Sequence, residues 1–167
     1  MSRTAIEYWR SLPVLNQLQI DWLISQRVST SAICSAAHPC LKRSADGIVF
    51  LIQDHAGPID CATWSLRDGG KTTLLTGAGF ALGEEHINNP GLYSFDGSLQ
   101  MHESPLDWLR ERRDGIVVLD WSRVFDRFRH CPRITVPESL LGRYRQSMKP
   151  PHMPELFVRL DDRNAAA

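Results

Sequence analysis

The run Ile48-Val49-Phe50-Leu51-Ile52 constrains this chain more than any other stretch. Five consecutive β-branched, aromatic and aliphatic residues, opened by Gly47 and followed by Asp54-His55-Ala56-Gly57-Pro58, spell a strand closed by a turn. Cys61 to Leu66 reads as a second strand, Arg67-Asp68-Gly69-Gly70 as a turn, and Lys71 to Thr76 as a third strand. Three strands joined by short glycine-bearing turns predict an antiparallel meander.

Helical periodicity lies in front of this meander. Thr4–Ser11 predicts a short helix stopped by Pro13, and Val14 to Gln26 a second one carrying Leu15, Leu18, Trp22 and Leu23. Ser29 or Thr30 caps a third, running through Ile33 to Ala37, which His38-Pro39 ends. Behind it, Gly77 to Pro90 is a connection with a helical turn near Glu84–Ile87. Leu99–His102 is a strand, Ser104-Pro105 opens a helix, and Ile116–Leu119 is the most apolar strand of the chain. This short β–α–β run predicts parallel neighbours in a mixed sheet. Ser122–Phe128 reads as helix, Ile134–Val136 as strand, Glu138–Met148 as helix and Leu156–Leu160 as a last edge strand. The class expected is α/β (α+β): N-terminal helices, a small antiparallel meander, then a β-α-β unit with a mixed sheet.

A chain of 167 residues fits one domain. Its expected parts are a helical lead-in over 1–40, a sheet core over 47–120, an arginine-rich end over 121–160 and a frayed tail over 161–167. The N-terminal MSRTAIEYWR lacks an apolar secretory core, and no window approaches a membrane-spanning length. Four irregularly spaced cysteines fit reduced, mostly buried thiols. A cytoplasmic protein is therefore expected. Net charge is zero, which argues against a strongly electrostatic partner. Residues 1–109 nevertheless carry a net −4 and residues 110–149 a net +5. Arg110, Arg112, Arg113, Arg127, Arg129, Arg143 and Arg145 supply most of that excess, and guanidinium forks suit phosphate. The alternative is a solvated face balanced by the acidic half.

Several motifs fail on spacing. Gly69-Gly70-Lys71-Thr72-Thr73 has Ser65 where a phosphate loop needs glycine, and it joins two strands. Gly77-Ala78-Gly79-Phe80-Ala81-Leu82-Gly83 is a loose glycine pattern without a preceding βαβ unit. Cys34, His38 and Cys40 could share a metal in sequence, yet Cys34 and Cys40 are separated by five residues, too many for a zinc knuckle. Leu15–Gln26 and Ser31–Ala37 have the layout of a helix-turn-helix, with Val28 at the apolar turn position. Arg27 stands where glycine is usual, and the second helix offers no Arg, Asn or Gln to read bases.

The stretch Leu99-Gln100-Met101-His102-Glu103-Ser104-Pro105-Leu106-Asp107-Trp108-Leu109, closing with Gly115-Ile116-Val117-Val118-Leu119-Asp120, resembles a toprim fold, the metal-binding domain of primases and topoisomerases. Upstream, Trp22-Leu23-Ile24-Ser25-Gln26-Arg27-Val28-Ser29 is similar to the helix preceding the primase core, so the likeness spans about residues 20–120. The resemblance implies that Glu103 matches the acid/base glutamate, Asp107 the second acid, and Asp120 the first acid of an Asp-x-Asp pair. Carboxylates at the ends of parallel strands suit Mg²⁺ and phosphate. Here Ser122 replaces the second acid of that pair, and the front zinc module of primases is missing. Too few acids then remain for two-metal chemistry, and Glu103 and Asp107 equally suit a helix N-terminus. No cofactor is expected, with Mg²⁺ binding weak at most. The resemblance implies a degenerate, non-catalytic accessory protein of DNA replication or of a mobile element, touching nucleic acid or a replication protein. The alternative is a small interaction or regulatory module with no enzymatic role.

Overall fold

The computed structural model describes residues 3–33, 41–67 and 70–150. The chain is mixed α/β: three helices, a four-stranded antiparallel sheet, and a second set of short strands laced with helices. The Cys34–His38–Cys40 cluster, the Leu156–Leu160 strand and the 161–167 tail lie outside the described residues.

The lead-in helices are α1 (Arg3–Ser11), α2 (Gln17–Ser25) and α3 (Thr30–Ile33). Helix α2 begins three residues later than periodicity predicts, because Asn16 and Gln19 form a reciprocal capping box that fixes its start. Val14 instead bridges Lys42 in extended conformation. The buried side of α2 is Leu23, with Leu15 and Ile20 half-buried beside it. Leu18 and Trp22 face out, which corrects the expected apolar stripe. Between α2 and α3, Arg27 adopts φ 66°, the left-handed conformation that explains why glycine is usual at this turn.

The large sheet has the order β1 (Leu41–Arg43), β2 (Gly47–Asp54), β3 (Gly57–Ser65), β4 (Thr72–Leu74), all antiparallel. The meander is as expected, with β1 an additional edge. The Asp54 carboxylate accepts from the amides of Ala56 and Gly57 and closes the β2–β3 hairpin tightly, so β3 starts at Gly57 rather than Cys61. A register shift opposite Ile52 and Gln53 accommodates Pro58, which has no amide for the ladder. The apolar run of β2 is continuous because both its faces are covered. Ile48, Phe50 and Ile52 join Leu23, Val28, Ile33 and Trp64, while Val49 packs with Cys61, Ala5 and Trp9 of α1. Each such buried side chain contributes about 1.5–3 kcal/mol.

The second half contains β5 (Ala81–Leu82), β6 (Leu99–Gln100), α4 (Pro105–Arg110), β7 (Val117–Val118), α5 (Val124–Phe128), β8 (Ile134–Thr135) and α6 (Glu138–Ser147). Strand β5 pairs antiparallel with β7, and β6 pairs parallel with β8. The two pairs meet at one parallel bridge, Met101 to Ile116, through Ile116 N–H to Gln100 O (2.8 Å) and His102 N–H to Ile116 O (2.8 Å). β6 and β7 therefore lie in separate two-stranded sheets and not in the one mixed sheet expected; the parallel sense survives only in the isolated bridge between their ends. Ser104 caps α4 by accepting from Asp107 N–H, with Pro105 in the first turn. Phe80, Leu99, Met101, Ile116, Val118, Val124 and Phe128 form this half's core. Phe50 ties the halves together, with Trp64 and Trp108 ring centroids 6.3 and 6.0 Å away. Among the described residues no helix is long and apolar enough to cross a membrane.

Candidate functional site: carboxylates, arginines and the 112–115 cleft

Each of the three candidate carboxylates is occupied by a neighbour. Glu103, exposed just past β6, accepts from the Ser139 hydroxyl of α6. Asp107 accepts from Ser104 Oγ (2.6 Å) and pairs with Arg110 (3.0 Å), so it serves its own helix N-terminus. Asp120 accepts from the amide and hydroxyl of Ser122 (3.1 and 2.6 Å), capping the 3-10 turn Trp121–Arg123. Among the described residues no group of three or more His, Cys, Asp or Glu side chains is placed to hold a metal ion.

The glycine-rich loop 77–83 is also spoken for. Asp60, wholly buried on β3, accepts from the amides of Cys61 (2.8 Å), Thr76 (3.0 Å) and Gly79 (3.0 Å). Glu84 accepts from Phe80 N–H (2.8 Å). From the other side, Arg123 donates to the carbonyls of Ala78 and Gly79, each at 3.1 Å. Amides that would cradle a phosphate are thus filled by the protein's own carboxylates.

The arginines divide into two groups. Arg110 donates to Gln26 O and Asp107, Arg127 pairs with the buried Glu84 (3.1 Å), and Arg133 grips Asp96 and Tyr93 O. By contrast, Arg112, Arg129 and Arg145 are exposed, and their side chains make no ion pair or hydrogen bond among the described residues. Arg143 lies over the Trp121 ring at 4.5 Å, its charge free of any acid in that set.

A cleft of about 430 Å³ opens beside α4, lined by Gln53, Glu85, His86, Arg112, Arg113 and Asp114. Its wall is the 112–115 segment, with φ values of 56°, 66° and 77° at Arg112, Arg113 and Gly115. Three ring nitrogens pin this wall. Trp108 Nε1 and His86 Nδ1 approach Gly115 O at 3.0 and 3.1 Å, and His102 Nε2 approaches Asp114 O at 2.7 Å. A carbonyl only accepts, so His86 holds its proton on Nδ1 and His102 on Nε2. Gly83 is required opposite, because a Cβ there would stand 2.2 Å from Gly115 O. Nothing in the spacing of Gln53, His86 and Arg112 announces this cleft, and His86 is the residue that sequence reasoning missed.

Two of the cysteines, Cys61 and Cys131, lie among the described residues. Burial, followed by the Asp60 charge, pushes the Cys61 thiol up to about 11, and burial also raises that of Cys131. The chain matches no family model, no curated protein and no solved structure.

Proposed function

We propose that this chain is a non-catalytic nucleic-acid-binding accessory module, a degenerate primase/toprim-like cytoplasmic domain acting in DNA replication or on a mobile element. One observation carries the reading. Arg129, Arg143 and Arg145, on or beside α5 and α6, have no acidic partner among the described residues, whereas Arg110, Arg127 and Arg133 have one. Unpaired guanidiniums can displace counterions from phosphate even in a chain of zero net charge, because screening confines the acidic half's influence to about 8 Å. The non-catalytic part of the reading is supported by Glu103, Asp107 and Asp120 each bonding a separate serine hydroxyl, and by Ser122 in place of a further acid.

The test compares charge removals on the full chain. The double variant Arg129→Gln/Arg145→Gln weakens binding to a labelled oligonucleotide, while Arg133→Gln, whose charge is already paired with Asp96, leaves it nearly unchanged. Equal effects from both would defeat the reading.

A second reading, a protein-interaction or regulatory module without enzymatic role, draws on Phe95. Its side chain is fully exposed on two consecutive left-handed residues, Phe95 and Asp96, and Arg133 clamps that tip through Asp96 and Tyr93 O. A rigid, solvent-facing aromatic is the usual form of an interface anchor. Phe95→Ser abolishing capture of a specific partner, with oligonucleotide binding intact, would favour it.

A further inference from the structure

We infer that the cleft beside the 112–115 segment is a binding site for a sugar phosphate, distinct from the arginines of α5 and α6. Helix α4 ends with Arg113 N–H on Trp108 O (2.8 Å) and Arg112 N–H on Leu109 O (3.1 Å), a helix stop whose left-handed residues are ordinarily glycine. Here two successive arginines hold the left-handed conformation, and both line the cleft. Strain of this kind persists where the surroundings impose it, and the Trp108, His86 and His102 rings impose it by fixing the two following carbonyls.

The donors and acceptors then define the ligand. Arg113 lines the cleft, and its Nε is buried with no acceptor among the described residues. Arg112 beside it makes no ion pair among the described residues. Two arginines lining one cleft fit a dianionic phosphomonoester better than a halide or a single carboxylate. His86, with Nδ1 on Gly115 O, lines the same cleft. Glu85, Asp114 and the Gln53 amide carbonyl add acceptors along it. Acceptors beside a dianion site call for a ligand that carries hydroxyl donors next to its phosphate, which is a sugar phosphate. The volume of about 430 Å³ lies within the range of small-ligand sites. The same chemistry occurs in a free pentose phosphate and at the 5′-phosphorylated end of a strand.

The experiment is calorimetric titration of the full chain with inorganic phosphate, ribose 5-phosphate, and one oligonucleotide with a 5′-phosphate or a 5′-hydroxyl. Ribose 5-phosphate is expected to bind saturably and to be displaced by inorganic phosphate. A preference of the strand for its 5′-phosphate form assigns the site to strand ends; no preference assigns it to free sugar phosphates. The decisive variants are Arg112→Gly and Arg113→Gly. Glycine suits both backbones, so each variant melts at or above the wild-type temperature while ribose 5-phosphate binding falls at least about tenfold. Gln53→Leu weakens ribose 5-phosphate more than inorganic phosphate, since it removes an acceptor for hydroxyls. Failure of ribose 5-phosphate and of the 5′-phosphate to bind, or binding unchanged in both glycine variants, overturns the inference and leaves the α5–α6 proposal untouched.

Discussion

Replacing Asp60 tests how the two halves of the molecule are joined. Its carboxylate is wholly buried and accepts from Cys61, Thr76 and Gly79, so a single β3 residue anchors the loop that leads into β5. Asp60→Ala orphans these donors, and the amides of Cys61 and Gly79 are in buried surroundings. At roughly 1–3 kcal/mol for each buried donor left unmade, the expected loss is about 4 kcal/mol. Domains of this size have about 5–15 kcal/mol in total, so the variant is expected to melt some 8–16 °C lower. Asp60→Asn keeps the shape and one acceptor but sets an amide N–H₂ against a backbone donor, for a loss of about 2 kcal/mol. Urea unfolding followed by tryptophan fluorescence measures both, and hydrogen exchange at Gly79 reports the loop directly. A loss below about 1 kcal/mol for Asp60→Ala, with Gly79 still protected, would refute the reasoning.

Arg27 is exposed and left-handed, so Arg27→Gly should raise stability by about 0.5–1 kcal/mol, read as a melting point 1–4 °C higher. Gly83→Ala places a Cβ 2.2 Å from Gly115 O at φ +70°, and it should cost about 3 kcal/mol or more in the same urea assay. Cys61 should resist alkylation at pH 8 in the folded chain. Its folded pKa, about 11, lies above the ordinary thiol value, so its contribution is complete below about pH 8.5 and is lost as pH rises toward 11. The loss is roughly 3 kcal/mol, and Cys61→Ala should flatten that alkaline decline.

What could be read in the sequence was whatever local chemistry decides. The Ile48–Ile52 strand, the Ser104-Pro105 helix start and the Asp54 turn each carry their own signal, and each forms where expected. The short strand β8 forms where expected, whereas β5 depends on a partner far along the chain and is hidden inside a stretch that reads as a connection. Helix α2 shows a different failure. Leu18 and Trp22 have helical spacing, but the capping box at Asn16 fixes the helix start and Leu23 is the residue turned inward. At the candidate sites, residue type was legible and partnership was not. Sequence groups Arg127 with Arg129, yet Glu84, 43 residues upstream of Arg127, neutralises only the former. The cleft beside α4 was hidden for a related reason. A glycine would have marked the left-handed turn, whereas Arg112 and Arg113 read as surface charge.

The central claim is that guanidiniums without internal acids bind nucleic-acid phosphates, and the salt dependence of binding tests it most directly. Affinity of the full chain for a labelled duplex, measured from 50 to 200 mM salt, should fall with a log–log slope of about −2 to −3, as for two or three contacted phosphates. The Arg129→Glu/Arg145→Glu variant should flatten that slope by about 1–2 and weaken binding most at low salt. No binding at ~50 mM salt, or a slope unchanged by the charge reversal, would contradict the account.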